Sequence, residues 1–582
     1  MTDTRLTDPR RTPPGGACSI LRRQAALLVS FALLGCQAQL RPASSVPTTG
    51  EVTHGGSWLP SIAAAGPKTP AIALTASDGT GLRLIELRAR AWVQAPLALT
   101  ELHLVFENPE ARTLEGNFEI QLPPRSAISR FGMKIDGLWQ EGEVVERQAA
   151  RRVFEDFLHR RQDPALLEHD AGERFRARVF PIPAHARKEL IVTYSQDLAG
   201  TYADYRLPLA GLPRLDILDV RVLGPHPCDP DQTIELYQTR ESMVERPAEV
   251  LLHEVGGPPA LGLRSGNLAV ARLTIPGDQA PDAPPRAVTV LLDTSASQAA
   301  DFAAKVAQLA ALVRRLGEVH GTALPVRVWC FDQEAVEVFR GPAREFSRVH
   351  TDAILRRRAL GASDPARALA SIRKGAQAGE RVVLVGDGVA TAGYTSGAAI
   401  TGAARRLRTA GVTRIDAVLA GGNRDLAALT QLVTADAGAN AGVVVDGSLA
   451  TPAIVEKLRR RTFSDIHIAV PGSRWTWPEH LDGVQPGDSV LVYADLPEGH
   501  ALQVELGGGL TSPQVASQSI ERPLLERAWV GARITRLLAM REALPEGDED
   551  MRRAMRDQVV ELSRKHRVLS PFTGLLVLES ER

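Results

Sequence analysis

The sequence predicts a multidomain protein of mixed α/β and β character. A β-rich N-terminal module comes first, a doubly wound parallel-sheet α/β domain second, and a C-terminal β segment with two helices last. Three observations predict this. The chain has 582 residues, enough for roughly three or four domains. From Ile72 to Ile275 it runs as short apolar or alternating stretches broken by Gly and Pro, the pattern of strands. At Arg286 the period changes, and apolar β-branched runs begin to alternate with amphipathic stretches of helical spacing. Composition narrows the classes further. With 44% hydrophobic and 23% charged residues, wholesale disorder, collagen and coiled coil are excluded. Lys plus Arg (68) equals Asp plus Glu (68), so no electrostatic footprint for nucleic acid or polybasic membrane patch is expected. Four cysteines cannot staple a chain of this length, so buried apolar cores must hold it.

The N-terminus carries its own signal. Arg22-Arg23 precedes the mostly apolar run from Gln24 to Gly35, which ends at Cys36. Twelve residues suit a signal-peptide core and are too few to span a bilayer. Leu33-Leu34-Gly35-Cys36 resembles a bacterial lipobox, whose thiol is acylated and becomes the new N-terminus. Residues 1–35 are therefore expected to be a lipoprotein signal peptide, with lipidation at Cys36. Residues 36–70, rich in Pro, Ser, Thr and Gly, are expected to be a flexible tether. Gln37 follows the cysteine; the Gram-negative sorting rule reserves Asp there for the inner membrane, so the resemblance implies lipid anchoring in the outer membrane of the cell envelope. No other window reaches the roughly 18 unbroken apolar residues of a spanning helix, so the lipid is the only expected membrane contact. Cys228 in a Pro-rich loop and Cys330 in an apolar strand either pair or leave Cys330 a buried thiol.

Strands are expected at Leu82–Leu87, Leu102–Phe106, Asn117–Leu122, Ile128–Ile135, Phe175–Phe180 and Leu190–Tyr194. Asp136-Gly137 signals a hairpin. Residues 141–158 place Val145, Ala149, Val153 and Phe157 four apart, one face of a helix. The runs FEIQLPPRSAISRFGMKIDG, EGEVVERQAARRVFED, DPALLEHD and FRARVFPIPAHARKELIVTY resemble, in order, a VIT domain, the module named for vault proteins and inter-alpha-trypsin inhibitor heavy chains. The resemblance implies a β-sandwich scaffold over residues 71–200 and no catalytic role. Residues 201–285 read as a β-rich connecting region, with strands at Tyr205–Leu209, Asp219–Leu223 and Leu268–Ile275.

Residues 286–461 alternate. Strands are expected at Ala287–Leu292, Val326–Phe331, Arg381–Val385, Arg414–Leu419 and Gly442–Val445. Helices are expected at 302–316, 365–377, 397–411, 424–435 and 450–461. In such sheets ligands bind beyond the carboxyl ends of strands, so the loops there are the first place to look. Three of them carry oxygen: Asp293-Thr294-Ser295-Ala296-Ser297, Gly361-Ala362-Ser363-Asp364 and Gly386-Asp387-Gly388. Taken singly, the first could be a helix cap and the last a turn. Together they offer oxygen ligands suited to a hard divalent cation, Mg²⁺ first, with Mn²⁺ or Ca²⁺ as alternatives. In its placement, DTSAS resembles the metal-ion-dependent adhesion site of a von Willebrand factor A domain. The resemblance implies that Ser295 and Ser297 touch the metal, that Ser363 stands in place of the usual Thr, and that Asp293 and Asp387 hold the ion through water or from behind. Ala296 replaces the usual Gly. One coordination position would then be left for an Asp or Glu of a protein or matrix ligand.

Residues 462–582 are expected to return to strands and then form helices at 522–543 and 548–565, before a buried strand after Val568. Leu525, Trp529, Ala532 and Leu537 make the apolar side of the first helix, and Met551, Met555, Val559 and Leu562 that of the second. This tail also resembles the end of proteins that join the two modules, with Phe572 replacing their tyrosine. No enzyme motif survives inspection. Gly393-Tyr394-Thr395-Ser396-Gly397 puts Thr395 at the nucleophile position of a hydrolase elbow, His253-Glu254 lacks a second His, and no Walker A loop is present. The expectation is a binding protein and not an enzyme. The alternatives are an envelope assembly factor with a metal-free A domain and, remotely, a Mg²⁺-dependent hydrolase using Asp293 and Asp387.

Overall fold

The computed structural model describes residues 57–578, except 64–69, 77, 80, 160–164, 171, 201–202, 227–228, 256–257, 436–437 and 546. The expected signal peptide, lipidated Cys36 and Cys228 lie outside the described residues.

The N-terminal half is a two-sheet sandwich, because its strands alternate buried and half-exposed positions with a period of two. One sheet has seven strands in the order 229–244, 215–226, 83–94, 97–107, 187–197, 126–135, 138–141. The other has six, in the order 72–76, 114–121, 174–182, 165–169, 573–577, 143–146. Leu87, Leu104, Phe118, Phe131, Val179, Val192 and Leu575 share the core between them. Phe118 lies edge-on to Phe106 and stacks on Phe131.

The sandwich does not end at residue 200. Strand 215–226 runs parallel to strand 83–94, and the last strand, Thr573–Val577, inserts between 165–169 and 143–146. Ser57–Ala63, expected to be tether, is a strand antiparallel to Glu249–Val255, and Trp58 packs against the sandwich core. The expected helix over 141–158 begins only at Arg147 and runs to His159. Residues 143–146 are a strand instead, because the C-terminal strand offers them backbone partners that sequence neighbours cannot. The shorter helix presents a different face: Ala150 and Phe154 are buried and Val153 is exposed.

A second β layer straddles the α/β domain. Strands 260–265 and 268–274 precede that domain and 475–477, 489–495 and 516–519 follow it, yet all five form one sheet. Helix Arg522–Ala543 buries Leu525, Ala528, Trp529 and Ile534 against this sheet and against Leu97 and Ala199 of the sandwich. Helix Glu549–His566 packs through Met555 and Val559, and leaves Met551 exposed.

The α/β domain takes element labels from here on. They are β1 (Ala287–Asp293), α1 (Phe302–His320), β2 (Pro325–Phe331), β3 (Ala335–Pro342), α2 (Arg348–Arg357), α3 (Pro365–Ile372), β4 (Glu380–Gly386), α4 (Gly397–Thr409), β5 (Val412–Leu419), α5 (Leu426–Thr434), β6 (Val444–Asp446) and α6 (Thr451–Arg459). The sheet order is β3-β2-β1-β4-β5-β6. All neighbours are parallel except β2 and β3. The hairpin strand β3 and helix α2 were not legible in the sequence pattern; AVEVFRGP is half-exposed at the sheet edge and lacks a clean apolar run. Both central strands, β1 and β4, are buried along their whole length, as helices on both faces require. Cys330 in β2 is a free, fully buried thiol, and burial pushes its pKa up to about 12.

Candidate metal centre

β1 and β4 are neighbours in the sheet, with Leu292 paired to Val385, but the chain leaves β1 toward β2 and returns to β4 from the other side. Sheet order reverses between them, and open α/β sheets bind ligands in the crevice beyond such a point. β1 ends at Asp293 and β4 at Gly386. Gly386 is required there, since a Cβ on it would lie 2.8 Å from the Cβ of Asp293.

Three loops meet at this crevice. In the first, the Ser295 amide donates to Asp293 Oδ1 at 2.8 Å, turning the chain into a short 3₁₀ turn, Ala296–Gln298. Ser295 Oγ and Ser297 Oγ are 3.1 Å apart and share a hydrogen bond. Ala296 has no positive φ, so the departure from Gly costs the backbone nothing. In the second loop, Ser363 Oγ donates to Asp293 Oδ2 at 3.2 Å. The third loop is fastened to the second: Thr391 and Ala392 amides both donate to the Ser363 carbonyl at 2.9 Å, and the Ser363 amide donates to Thr391 Oγ1 at 2.8 Å. Asp387 Oδ1 accepts from the Val389 amide at 3.0 Å.

All five expected side chains therefore belong to one network. Asp293, Ser295, Ser363 and Asp387 are at most 3% exposed, and Ser297 is exposed at the rim. Three residues of the network were not singled out from sequence. Gln298 Nε2 donates to Asp387 Oδ2 at 2.8 Å and to Ser297 Oγ at 3.2 Å, bridging two loops. Lys305 Nζ donates to the side-chain and backbone oxygens of Gln298, both at 3.1 Å. Thr391 closes the third loop. Lys305 did leave a signal: it sits in the first turn of α1, where a cation opposes the helix dipole unless anions lie close by.

The electrostatics are those of two crowded anions. Burial, and then the charge of Asp293, push Asp387 up to about 7. Burial also raises Asp293, against bonds from Ser295 and Ser363 that favour its ionised form. Burial lowers Lys305, which bonds Gln298 and neither carboxylate. Among the described residues, no three His, Cys, Asp or Glu side chains converge on a point suited to a metal. The donor set is instead two carboxylates and three hydroxyls, all oxygen, which fits a hard divalent cation rather than zinc or copper.

The centre is tied to the sandwich. The Asp387 carbonyl accepts from the Asp425 amide at 2.7 Å, and Asp425 caps α5 through the Ala428 amide at 2.8 Å. The adjoining Arg424 carbonyl accepts from the Glu173 amide at 3.0 Å, in the turn between sandwich strands 165–169 and 174–182. Gly172 in that turn has φ +66°, and a Cβ there would lie 2.6 Å from Asn423 Oδ1.

Residues 84–194 match the Vault protein inter-alpha-trypsin (VIT) domain family. The match covers the middle of the sandwich and leaves out strands 72–76, 215–226, 229–244 and 573–577, which complete its two sheets. The chain is similar in part to solved structures. Proximal thread matrix protein 1 of the mussel byssus is 20% identical over 33% of this chain and 52% of its own, with a TM-score of 0.24. This chain thus spans about half the length of that protein. A von Willebrand factor type A protein from Catenulispora acidiphila is 17% identical over 53% of this chain and 83% of its own, with a TM-score of 0.26. A pilus adhesin from Lactobacillus rhamnosus GG is 11% identical over 44% and 47%, with a TM-score of 0.23. No curated protein matches.

Proposed function

We propose that the loops after β1 and β4, with the Ser363 loop between, hold a divalent cation and present it to a carboxylate of a protein or matrix ligand. Mg²⁺ is the first choice, with Mn²⁺ or Ca²⁺ as alternatives. The observation that carries this reading is the meeting of five oxygen-bearing side chains from three separated loops, two of them carboxylates whose charges are buried and not directly paired with a cation among the described residues. Ser295, Ser297 and Ser363 would hold the ion, with Asp293 and Asp387 behind them. A cation bound so would supply an electrophilic centre for a partner's Asp or Glu. The role is binding and not catalysis, and the wider setting we propose is a lipoprotein anchored through Cys36 in the outer membrane of a Gram-negative envelope.

One observation favours a second reading. The Gln298 amide already bridges Asp387 and Ser297 through protein donors alone. On that reading the domain is a metal-free scaffold for envelope assembly. Thermal melts of the full chain in Mg²⁺ and in EDTA separate the two, since an ion that binds only the folded state raises its melting temperature. Mg²⁺ is expected to raise it in the wild type and not in Asp293→Ala. Equal melting in Mg²⁺ and EDTA, with no metal found by mass spectrometry, would leave the scaffold reading standing. Turnover in a phosphatase and phosphodiesterase screen would overturn both.

A further inference from the structure

The rim of the metal centre carries two large apolar side chains in water. Tyr394 is 78% exposed and Leu360 60% exposed. Scattered single exposed hydrophobics are ordinary, but these two bracket one point. Leu360 lies three residues before Ser363, and Tyr394 three residues after Thr391, the residue bonded to Ser363. Three residues of chain reach at most about 11 Å, so the Leu360 backbone lies within that distance of Ser363 and the Tyr394 backbone within it of Thr391. Each is also tied down. The Leu360 amide donates to the Thr294 carbonyl at 3.0 Å. Gly393, at φ +67°, packs so close on the Asp364 carboxylate that no side chain fits there.

The charged groups around the Ser363 loop are unevenly satisfied. Asp332 pairs with Arg357 at 2.7 Å, and Asp364 caps α3 by accepting from the Arg367 amide at 2.9 Å. Arg356 and Arg358 are exposed and have no ion-pair partner among the described residues. Arg358 is held at φ +62°, ψ 172°, a conformation that disfavours any residue but Gly. Arg356 and Arg358 stand four and two residues before Leu360, so exposed positive charge lies close in the chain to the apolar rim.

Resting on the metal reading above, we infer that this rim selects its partner: a protein segment whose metal-binding carboxylate is flanked by apolar side chains, in a locally acidic sequence. The apolar flanks bury against Leu360 and Tyr394, and each such contact is worth about tenfold in affinity. Arg356 and Arg358 favour acidic neighbours and disfavour basic ones.

The test uses the full chain and immobilised synthetic peptides, Gly-Ser-Xaa-Asp-Xaa-Ser-Gly, with Leu, Phe, Ser or Lys at Xaa and Asn replacing Asp as control. In Mg²⁺ the Leu and Phe peptides are expected to bind at least about tenfold more tightly than the Ser peptide, and the Lys and Asn peptides least. Leu360→Ser and Tyr394→Ser are each expected to erase about tenfold of that preference while the Mg²⁺-dependent melting shift is unchanged. Arg356→Glu with Arg358→Glu is expected to lift the penalty on the Lys peptide. Binding that ignores the flanks, a preference that survives in the Leu360→Ser/Tyr394→Ser double variant, or no Asp-peptide binding despite a Mg²⁺ melting shift would each overturn the proposal. Loss of the melting shift in the wild type would instead strike the metal reading beneath it, and the two failures are told apart in the same melts.

Discussion

Replacing Asp387 by Asn should make the metal-free protein more stable at alkaline pH and deaf to Mg²⁺. Asp387 is fully buried beside Asp293, and its pKa stands at about 7 against an ordinary 3.8. At ~1.4 kcal/mol per decade, the ionised form costs the folded state about 4 kcal/mol above pH 7. The sign follows from the raised value: the folded state holds the proton more tightly than the unfolded one, so stability falls as pH climbs from about 4 to about 7. Asn carries no such charge. It does set an amide nitrogen against one of two donors, the Val389 amide or Gln298 Nε2, at a cost of about 1–2 kcal/mol. The net gain at pH 8 in EDTA is about 2 kcal/mol, or about 4–8 °C for a domain of this size. Calorimetric melts in EDTA across this pH range measure it; the advantage should shrink and then reverse toward pH 4. With Mg²⁺ the wild type should recover and the variant should not. A variant that melts no higher than wild type in EDTA at pH 8 would refute the idea that two crowded carboxylates destabilise the metal-free site.

Three further outcomes are expected. Deleting residues 573–582 removes the strand between 165–169 and 143–146 and exposes the core around Leu575, Leu576 and Val577, about 5–9 kcal/mol of burial; the sandwich should lose its cooperative unfolding, and a normal circular-dichroism melt would count against it. Glu380→Ala strands the buried guanidinium of Arg327, now held at 2.8 Å, and should lower stability by about 3–5 kcal/mol, read as a shifted urea midpoint with unchanged slope. Gly172→Ala forces a Cβ against the Arg424 carbonyl at 2.8 Å and adds about 1–2 kcal/mol of left-handed strain; hydrogen exchange at the Asp425 amide should quicken, and unchanged protection would show that the sandwich turn does not brace the site.

Much of the local structure was legible because it rests on short-range periodicity. The buried runs of β1 and β4, the amphipathic α1 and the alternating strands of the sandwich each declare their exposed and buried faces within a few residues. The five oxygens were legible for the same reason: each sits one to a few residues beyond a recognisable strand or before a recognisable helix. Gln298 and Lys305 were not, because their role appears only when the turn after β1 is folded against Asp387. Residues 143–146 read as helix until a strand more than 400 residues away supplies backbone partners. Residues 57–63 looked like tether until residues 249–255 lay beside them.

By itself, then, the amino-acid order determined most of the strands and helices, those with a clean apolar period, and which side chains could bind a hard cation. Both are written in spacings of two to four residues and in side-chain chemistry. Only the tertiary structure decided that the C-terminal strand completes the N-terminal sandwich, that one sheet is shared from both sides of the α/β domain, and that Gln298 bridges Ser297 and Asp387 across two loops. Those pairings join residues far apart in sequence, where backbone hydrogen bonds and apolar burial choose partners that no local pattern encodes.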